Sequence, residues 1–160
     1  MKTEPQKEHE WLQQFVGEWM YESECSMGAD KPSENFNGTE CVRSLGGIWV
    51  LSESQCEMPG CGIATMVMTL GYDPQKQKYV GTWIGSMMAH LWLYEGTLDA
   101  EGKVLTLNSE GPNCADEGKL ATYKDVIEFP NDYQRIHSSY LLGENGEWSL
   151  VMTTNYRRKT

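Results

Sequence analysis

Two glutamates on neighbouring predicted strands are the first candidates for acid–base chemistry. A two-residue hairpin turn at 46–47 places Glu40 opposite Glu53. Two carboxyl groups at interacting distance raise the pKa of one of them, so such a pair can supply an acid and a base. His90 and His137 are further candidate bases, because an imidazole titrates near neutral pH. These residues define one hypothesis, a small barrel enzyme; the alternative is that the glutamates are solvated and the histidines structural.

A cysteine pair is weak evidence for a metal site. Cys56 and Cys61 flank a predicted turn and resemble half of a zinc knuckle. A structural zinc site needs four ligands, and no second Cys or His pair follows at the required spacing. The sequence also lacks a P-loop and a G-x-G-x-x-G run. We therefore expect no metal and no cofactor.

The composition limits the partners and the compartment. A formal net charge of -10 opposes binding to the phosphates of nucleic acid, so no nucleic-acid partner is expected. No apolar run is long enough to span a membrane, and the first residues do not form a secretory signal. The five cysteines are an odd number, which favours reduced thiols over a disulfide framework. The sequence thus predicts a cytoplasmic protein.

The elements that position these residues are mostly strands. Residues 8–16 have apolar side chains at helical spacing, and Gly17 ends this short helix. About ten short segments rich in Val, Thr, Trp and Tyr follow, separated by turn residues. They cover 18–27, 34–45, 48–57, 63–72, 78–86, 90–99, 103–110, 120–129, 133–142 and 147–157.

The short connections determine the architecture. Links of two to four residues join only antiparallel neighbours, which gives an up-and-down meander. Closing the sheet removes both hydrogen-bonding edges. We therefore expect an all-β, calycin-like antiparallel barrel of about ten strands over 18–157, with the helix at 8–16 capping one end, in a single domain over 1–160.

The hairpin registers indicate which side chains face the interior. Pairing Tyr72 with Tyr79 places Met68 opposite Trp83, and the next hairpin places Trp83 opposite Trp92. The same reasoning pairs Leu141 with Trp148. The predicted apolar wall is Met66, Met68, Trp83, Trp92, Tyr94 and Met152, and the polar exceptions are Glu40, Glu53, His90, Arg135 and His137.

Few polar groups in an apolar lining are typical of a ligand pocket, and a ten-stranded barrel is wide enough to contain one. We therefore predict a carrier or sensor for a small, mostly apolar ligand with a polar end. The ligand-binding residues are predicted to be Glu53, Met66, Met68, Trp83, His90, Trp92, Tyr94, Arg135, His137 and Met152. Two alternatives stay open: the apolar set is ordinary core, or the registers slip by one and the ionisable groups face solvent.

The predicted outer face of the central strands is unusually apolar. It carries Val67, Val80, Ile84, Leu91 and Leu93. An apolar patch of this kind commonly marks an interface, so a homodimer is expected through this face. A homo-oligomeric structural module with a filled barrel is therefore the second alternative function.

Several segments resemble a known family. They are "VGEW", "LGGIWVLSE", "LGYDPQKQKYVGTWIGSMMAHLWLYEGTLD", "GKLATYKDVIEF" and "MTTNYRRK", which together span nearly the whole chain. The chain resembles a family of small bacterial proteins, a domain of unknown function with a calycin-like, fatty-acid-binding-protein-like barrel. The resemblance implies the barrel and no catalytic residues. The chain is more distantly similar to haem-binding nitrobindin-like barrels, but it lacks a G-x-W-x-G-x-G run, so haem is not expected.

Overall fold

The protein forms a closed antiparallel barrel of ten strands. The computed structural model describes residues 2–26, 32–58, 60 and 62–159. Its elements are α1 (Lys7–Leu12), a 3₁₀ turn (Gln13–Phe15), β1 (Gly17–Cys25), β2 (Glu34–Leu45), β3 (Trp49–Met58), β4 (Gly62–Asp73), β5 (Lys78–Gly85), β6 (Met88–Leu98), β7 (Val104–Pro112), β8 (Leu120–Asn131), β9 (Gln134–Leu142) and β10 (Trp148–Arg158). The predicted all-β meander with a short N-terminal helix is confirmed.

Pairing between the first and last strands closes the barrel. β1 pairs with β10 from Trp19 opposite Arg158 to Cys25 opposite Met152. Every other strand pairs with its neighbours in the sequence. Because successive side chains on a strand point to opposite faces, closure places every second residue inside. β1 shows this alternation clearly, since its buried residues are separated by exposed ones.

The N-terminal helix closes one end of the barrel. Leu12 and Phe15 are almost completely buried and belong to the main apolar core. The Trp11 indole donates to the Gly102 carbonyl at 2.8 Å, and the Trp19 indole donates to the Phe15 carbonyl at 2.9 Å. We call this the helix end. The opposite end, where β1 reaches Cys25, is the distal end.

The interior is most tightly packed in the half next to the helix. Six of the ten strands contribute the fully buried apolar side chains there, which are Trp19, Val50, Leu70, Tyr79, Leu105 and Ile127. Aromatic rings from the helix and the strands meet edge to face, with Phe15 and Phe129 4.9 Å apart between centroids. Burial of this apolar surface is the main term that stabilises the barrel.

Arg158 fastens the end of the last strand to the start of the chain. Its guanidinium donates to the backbone carbonyls of Val16 at 2.6 Å, Gln14 at 2.9 Å and Asp132 at 2.9 Å. The same group lies over the Trp19 ring, 4.1 Å from its centroid. One side chain thus satisfies carbonyls from two separate segments at the helix end.

We predict that Arg158→Ala lowers the free energy of unfolding by about 2–3 kcal/mol, because three charge-assisted hydrogen bonds are lost at a partly exposed site. Arg157→Ala is the matched control, since Arg157 is exposed on the same strand; its effect should stay below about 0.5 kcal/mol. Urea denaturation followed by circular dichroism measures both. Equal stability of the two variants would contradict this role for Arg158.

Candidate functional site

The central hairpins have the predicted register. Tyr72 pairs with Tyr79 and Met68 with Trp83, as predicted. Trp83 in turn pairs with Trp92, which is also confirmed. The two indoles therefore lie on the inner face of neighbouring strands.

The predicted pairing of Glu40 with Glu53 is wrong. The turn after β2 contains Ile48 as well as two glycines at φ 66° and 75°, so Leu45 pairs with Trp49. This extra residue shifts β3 by one, and Glu53 points outward and is exposed opposite Cys41. Glu40 remains inside, where it is 5% exposed and lies opposite Ser54.

The predicted pairing of Leu141 with Trp148 is also wrong: Leu141 pairs with Ser149, and this shift of one residue turns Trp148 outward, where it is 37% exposed. Two further predicted pairings are wrong but do not change the facing of the side chains. Gly85 pairs with Met88 rather than His90, because β5 and β6 contain an irregularity after Trp83. Between β9 and β10, His137 pairs with Thr154 rather than Met152, since a bulge lies between Leu150 and Met152. The shift at these positions is two residues, and a shift by an even number preserves the inward face.

Several inward residues in the distal half remain partly exposed. They are Phe36, Met66, Trp83, His90, Trp92 and Met152. Trp92 packs edge to face against His90 and Tyr123, with centroids 4.9 and 5.1 Å apart. His90 forms a hydrogen bond between its Nε2 and the Glu110 carbonyl at 2.9 Å. The distal half thus has an aromatic and methionine wall that solvent reaches.

A buried ion pair crosses the interior nearer the helix end. The Arg135 Nη2 donates to Glu40 Oε2, and these side chains are 1% and 4% exposed. Ser52 donates to the other Glu40 oxygen at 2.5 Å. The Arg135 guanidinium lies over the rings of Tyr156, Trp19 and Phe15, at 3.7, 4.8 and 5.0 Å from their centroids. An ion pair buried this deeply loses its hydration. The contacts with each other, with Ser52 and with the aromatic rings must therefore stabilise both charges.

A second polar cluster lies one layer further towards the distal end. Asp125 Oδ2 accepts from the Tyr94 hydroxyl at 3.1 Å and lies 3.0 Å from His137 Nε2. A carboxylate oxygen only accepts, so Nε2 carries a proton in this bond. Burial and then the Asp125 charge raise the pKa of Tyr94 well above its usual value, which keeps the phenol protonated as a donor. The cluster can therefore orient the imidazole or share its proton with a bound polar group.

Three further residues belong to these clusters but were not predicted from the sequence: Asp125, Ser52 and Tyr156. Asp125 lies two residues from each of the buried Tyr123 and Ile127 on β8, so all three side chains share the inner face. This two-residue spacing is the sequence pattern that identifies Asp125 as an inward residue. Ser52 was predicted to face outward, because the predicted register of β3 differs by one residue from the observed one.

Two cavities lie against the outer face of the barrel. The larger, of about 520 Å³, lies over β1, β2, β9 and β10; most of its lining residues are outward ones such as Met20 and Ile136, and the inward residues Tyr21, Arg135 and Tyr156 of the same strands also border it. The smaller, of about 250 Å³, is lined by Glu18, Cys41 and Glu53 among others. Glu53 therefore borders an outer groove instead of the barrel interior.

The described residues were also searched for a metal-binding group and for a membrane-spanning helix. Cys61, one of the two cysteines considered as a weak zinc candidate, lies outside the described residues. In the ranges that the structure describes, no three His, Cys, Asp or Glu side chains form a group suited to a metal ion. Likewise, none of the described helices has the length and apolar character needed to cross a membrane.

The strand order, the helix cap and the mixed interior define a calycin-like closed barrel. The chain belongs to the DUF1579 family, proteins of unknown function, whose sequence profile matches residues 4–158. No curated protein matches the chain.

Two solved structures have a similar fold. The S-type phycobiliprotein lyase CPES from Guillardia theta has a TM-score of 0.63 at 12% identity, over 98% of this chain and 99% of that one. Rv2717c from M. tuberculosis also has a TM-score of 0.63, at 11% identity, over 93% of this chain and 95% of that one. At these identities the likeness concerns the fold alone.

We predict that Glu40→Gln lowers the free energy of unfolding by about 3–5 kcal/mol, because it leaves the buried Arg135 guanidinium without its counter-charge. Glu53→Gln is the matched control: Glu53 is exposed on the next strand, and its effect should stay below about 0.5 kcal/mol. Chemical denaturation measures both values. A small and equal effect of the two substitutions would show that Glu40 is solvated.

Proposed function

We propose that the barrel interior binds a small, mostly apolar molecule that carries a polar end. The supporting observation is the difference between the two halves. Most of the fully buried apolar side chains lie next to the helix, whereas the distal half has only a small buried cluster and its inward Met66, Trp83, Trp92 and Met152 keep partial exposure. An apolar wall that solvent reaches inside a closed sheet is the arrangement that ligand pockets use.

The polar groups suit the deep end of such a pocket. β9 runs from the helix end towards the distal end, so Arg135 lies deepest and His137 follows one layer above. A ligand that enters from the distal end passes the indoles before it reaches these groups. His90 lies near the entrance and can contact the ligand there. Glu53 has no place in this proposal, since it points away from the interior.

A small barrel enzyme is the second candidate function. The Glu40 and Glu53 version is wrong because these carboxyl groups lie on opposite faces. The Asp125 and His137 contact favours an imidazole as the base instead. The phycobiliprotein lyase shares the barrel, but the likeness is too distant to transfer its reaction. We therefore favour a carrier or sensor over catalysis.

We predict that the Trp83→Ala, Trp92→Ala double variant binds the neutral naphthalene dye prodan at least about tenfold more weakly than the unmodified protein, because two aromatic walls are removed. Trp49→Ala is the control, since Trp49 lies on the outer face and is 36% exposed. Prodan fluorescence titrations measure the affinities. An unchanged affinity in the double variant, or an equal loss in the control, contradicts binding inside the barrel.

The homodimer stays a prediction. Ile84, Leu91 and Leu93 are 48%, 51% and 62% exposed on the outer face of β5 and β6, which is the surface named from the sequence. We expect light scattering at micromolar concentration to give twice the chain mass, and Leu93→Glu to return the mass to that of one chain, because a charge buried at an interface costs several kcal/mol. A monomeric mass for the unmodified protein would contradict the prediction.

We further propose a cytoplasmic location, as predicted from the sequence. Cys41, Cys56 and Cys114 form no disulfide, which agrees with a reducing compartment.

A further inference from the structure

The wall of the barrel is not paired along its whole length between β6 and β7. These two strands pair only next to the helix end, between residues 95–98 and 105–108. In the distal half β6 still pairs with β5, and β7 with β8, but β6 and β7 no longer pair with each other. We call the unpaired stretch, between residues 88–94 and 109–112, the split. At about 3.3 Å per residue, its β7 side is roughly 13 Å long.

Side chains take the place of the missing strand pairing. His90 reaches across the split, where its Nε2 donates to the Glu110 carbonyl oxygen at 2.9 Å. The Trp92 indole also leans across it, because a β-carbon on Gly111 would overlap the far edge of this ring. The same ring packs edge to face on Tyr123 of β8, with centroids 5.1 Å apart. The split is thus covered by one imidazole and one indole.

The split is the part of the wall that opens at the lowest cost. Separation of two fully paired strands breaks a row of backbone hydrogen bonds and leaves their donors and acceptors unsatisfied. At the split, opening requires only the loss of the His90 bond and the Trp92 contacts, and both side chains are partly exposed. Segments with few backbone hydrogen bonds are those that open locally in native proteins.

One further contact holds the Trp92 ring across the split. Its Nε1 donates to the Met88 sulfur at 3.2 Å, and a thioether is a weak acceptor. Met88 is 41% exposed at the distal end of β6. A substitution at this position therefore weakens the hold on the indole and leaves the buried core unchanged.

The rim beside the split is fastened by an inward side chain. The Tyr123 hydroxyl donates to the Pro112 carbonyl at 2.6 Å and accepts from the Cys114 amide at 3.1 Å. Tyr123 is buried on the inner face of β8, so these bonds hold the start of the loop after β7 over the interior. On this side of the barrel, the split is the less firmly held route to the interior.

We propose that the split between β6 and β7 is the entrance through which the ligand reaches the barrel interior, and that the Trp92 indole is its gate. This inference rests on the proposed function and specifies how the site is reached. The indole moves away from Gly111 to admit the ligand. It then returns behind the ligand and forms part of the wall around it.

Stopped-flow fluorescence with prodan tests the gate through Met88→Leu, which removes the sulfur acceptor and nearly keeps the side-chain volume. The closed gate is weakened equally in the free and the bound protein. The association and dissociation rate constants should therefore rise by the same factor, at least about threefold, with an unchanged Kd. Met87→Leu is the matched control, since Met87 is the neighbouring exposed methionine; its rate constants should equal those of the unmodified protein.

An NMR measurement on the unmodified protein keeps the test independent of the variants. The indole ¹⁵N–¹H signal of Trp92 should show relaxation dispersion, which reports exchange on the microsecond to millisecond timescale. The opening rate should equal the plateau that the observed prodan association rate reaches at high prodan concentration, because opening then limits binding. The indole of Trp49, on the outer face, should show no such exchange.

The outcomes separate the entrance from the binding site. A Trp92 signal without exchange, or an opening rate that differs from the plateau, overturns the gate. If prodan binds but Met88→Leu leaves both rate constants unchanged, the entrance lies elsewhere and the proposed function stands. If prodan does not bind the unmodified protein, both proposals fail.

Discussion

Closure of the sheet by β1 and β10 is the constraint on which the structure depends. Once the first and last strands pair, every strand has a fixed inner face, and each polar side chain on that face must find a partner inside. Arg135, Glu40 and Asp125 show the consequence. Because these side chains are buried, Arg135 pairs with Glu40, which also accepts from Ser52. Asp125 accepts from the Tyr94 hydroxyl and contacts His137.

The helix gives this barrel two different ends. Leu12 and Phe15 fill the space at one end, and the apolar core there is continuous. No equivalent helix follows the distal ends of the strands in the described residues. The buried polar layer lies between the packed core and the accessible indoles of Trp83 and Trp92. This order, partly exposed apolar side chains next to buried polar groups, supports the proposal that the interior is a binding site rather than ordinary core.

The sequence predicts the fold well because short turns allow only antiparallel neighbours. It predicts the site less well, because one additional residue in a turn exchanges the inward and outward side chains of the next strand. Tyr72 and Tyr79 pair as expected, since no extra residue enters that hairpin. Inclusion of Ile48 in its turn reverses the face of β3, so Glu53 points outward. Arg135 and His137 were recognised, but the Glu40 and Asp125 contacts depend on three-dimensional positions that no strand pattern contains.

The most direct measurement of the central claim is a methyl NMR titration with 2-ethylnaphthalene and ¹³C-methyl methionine. Met66, Met68 and Met152 lie on the inner face, whereas Met20 is 48% exposed on the outer face beside the larger groove. If the ligand binds inside the barrel, the inner methyl groups should show ring-current shifts and Met20 should show none. Shifts confined to Met20 would place the ligand outside the barrel and overturn the proposed function.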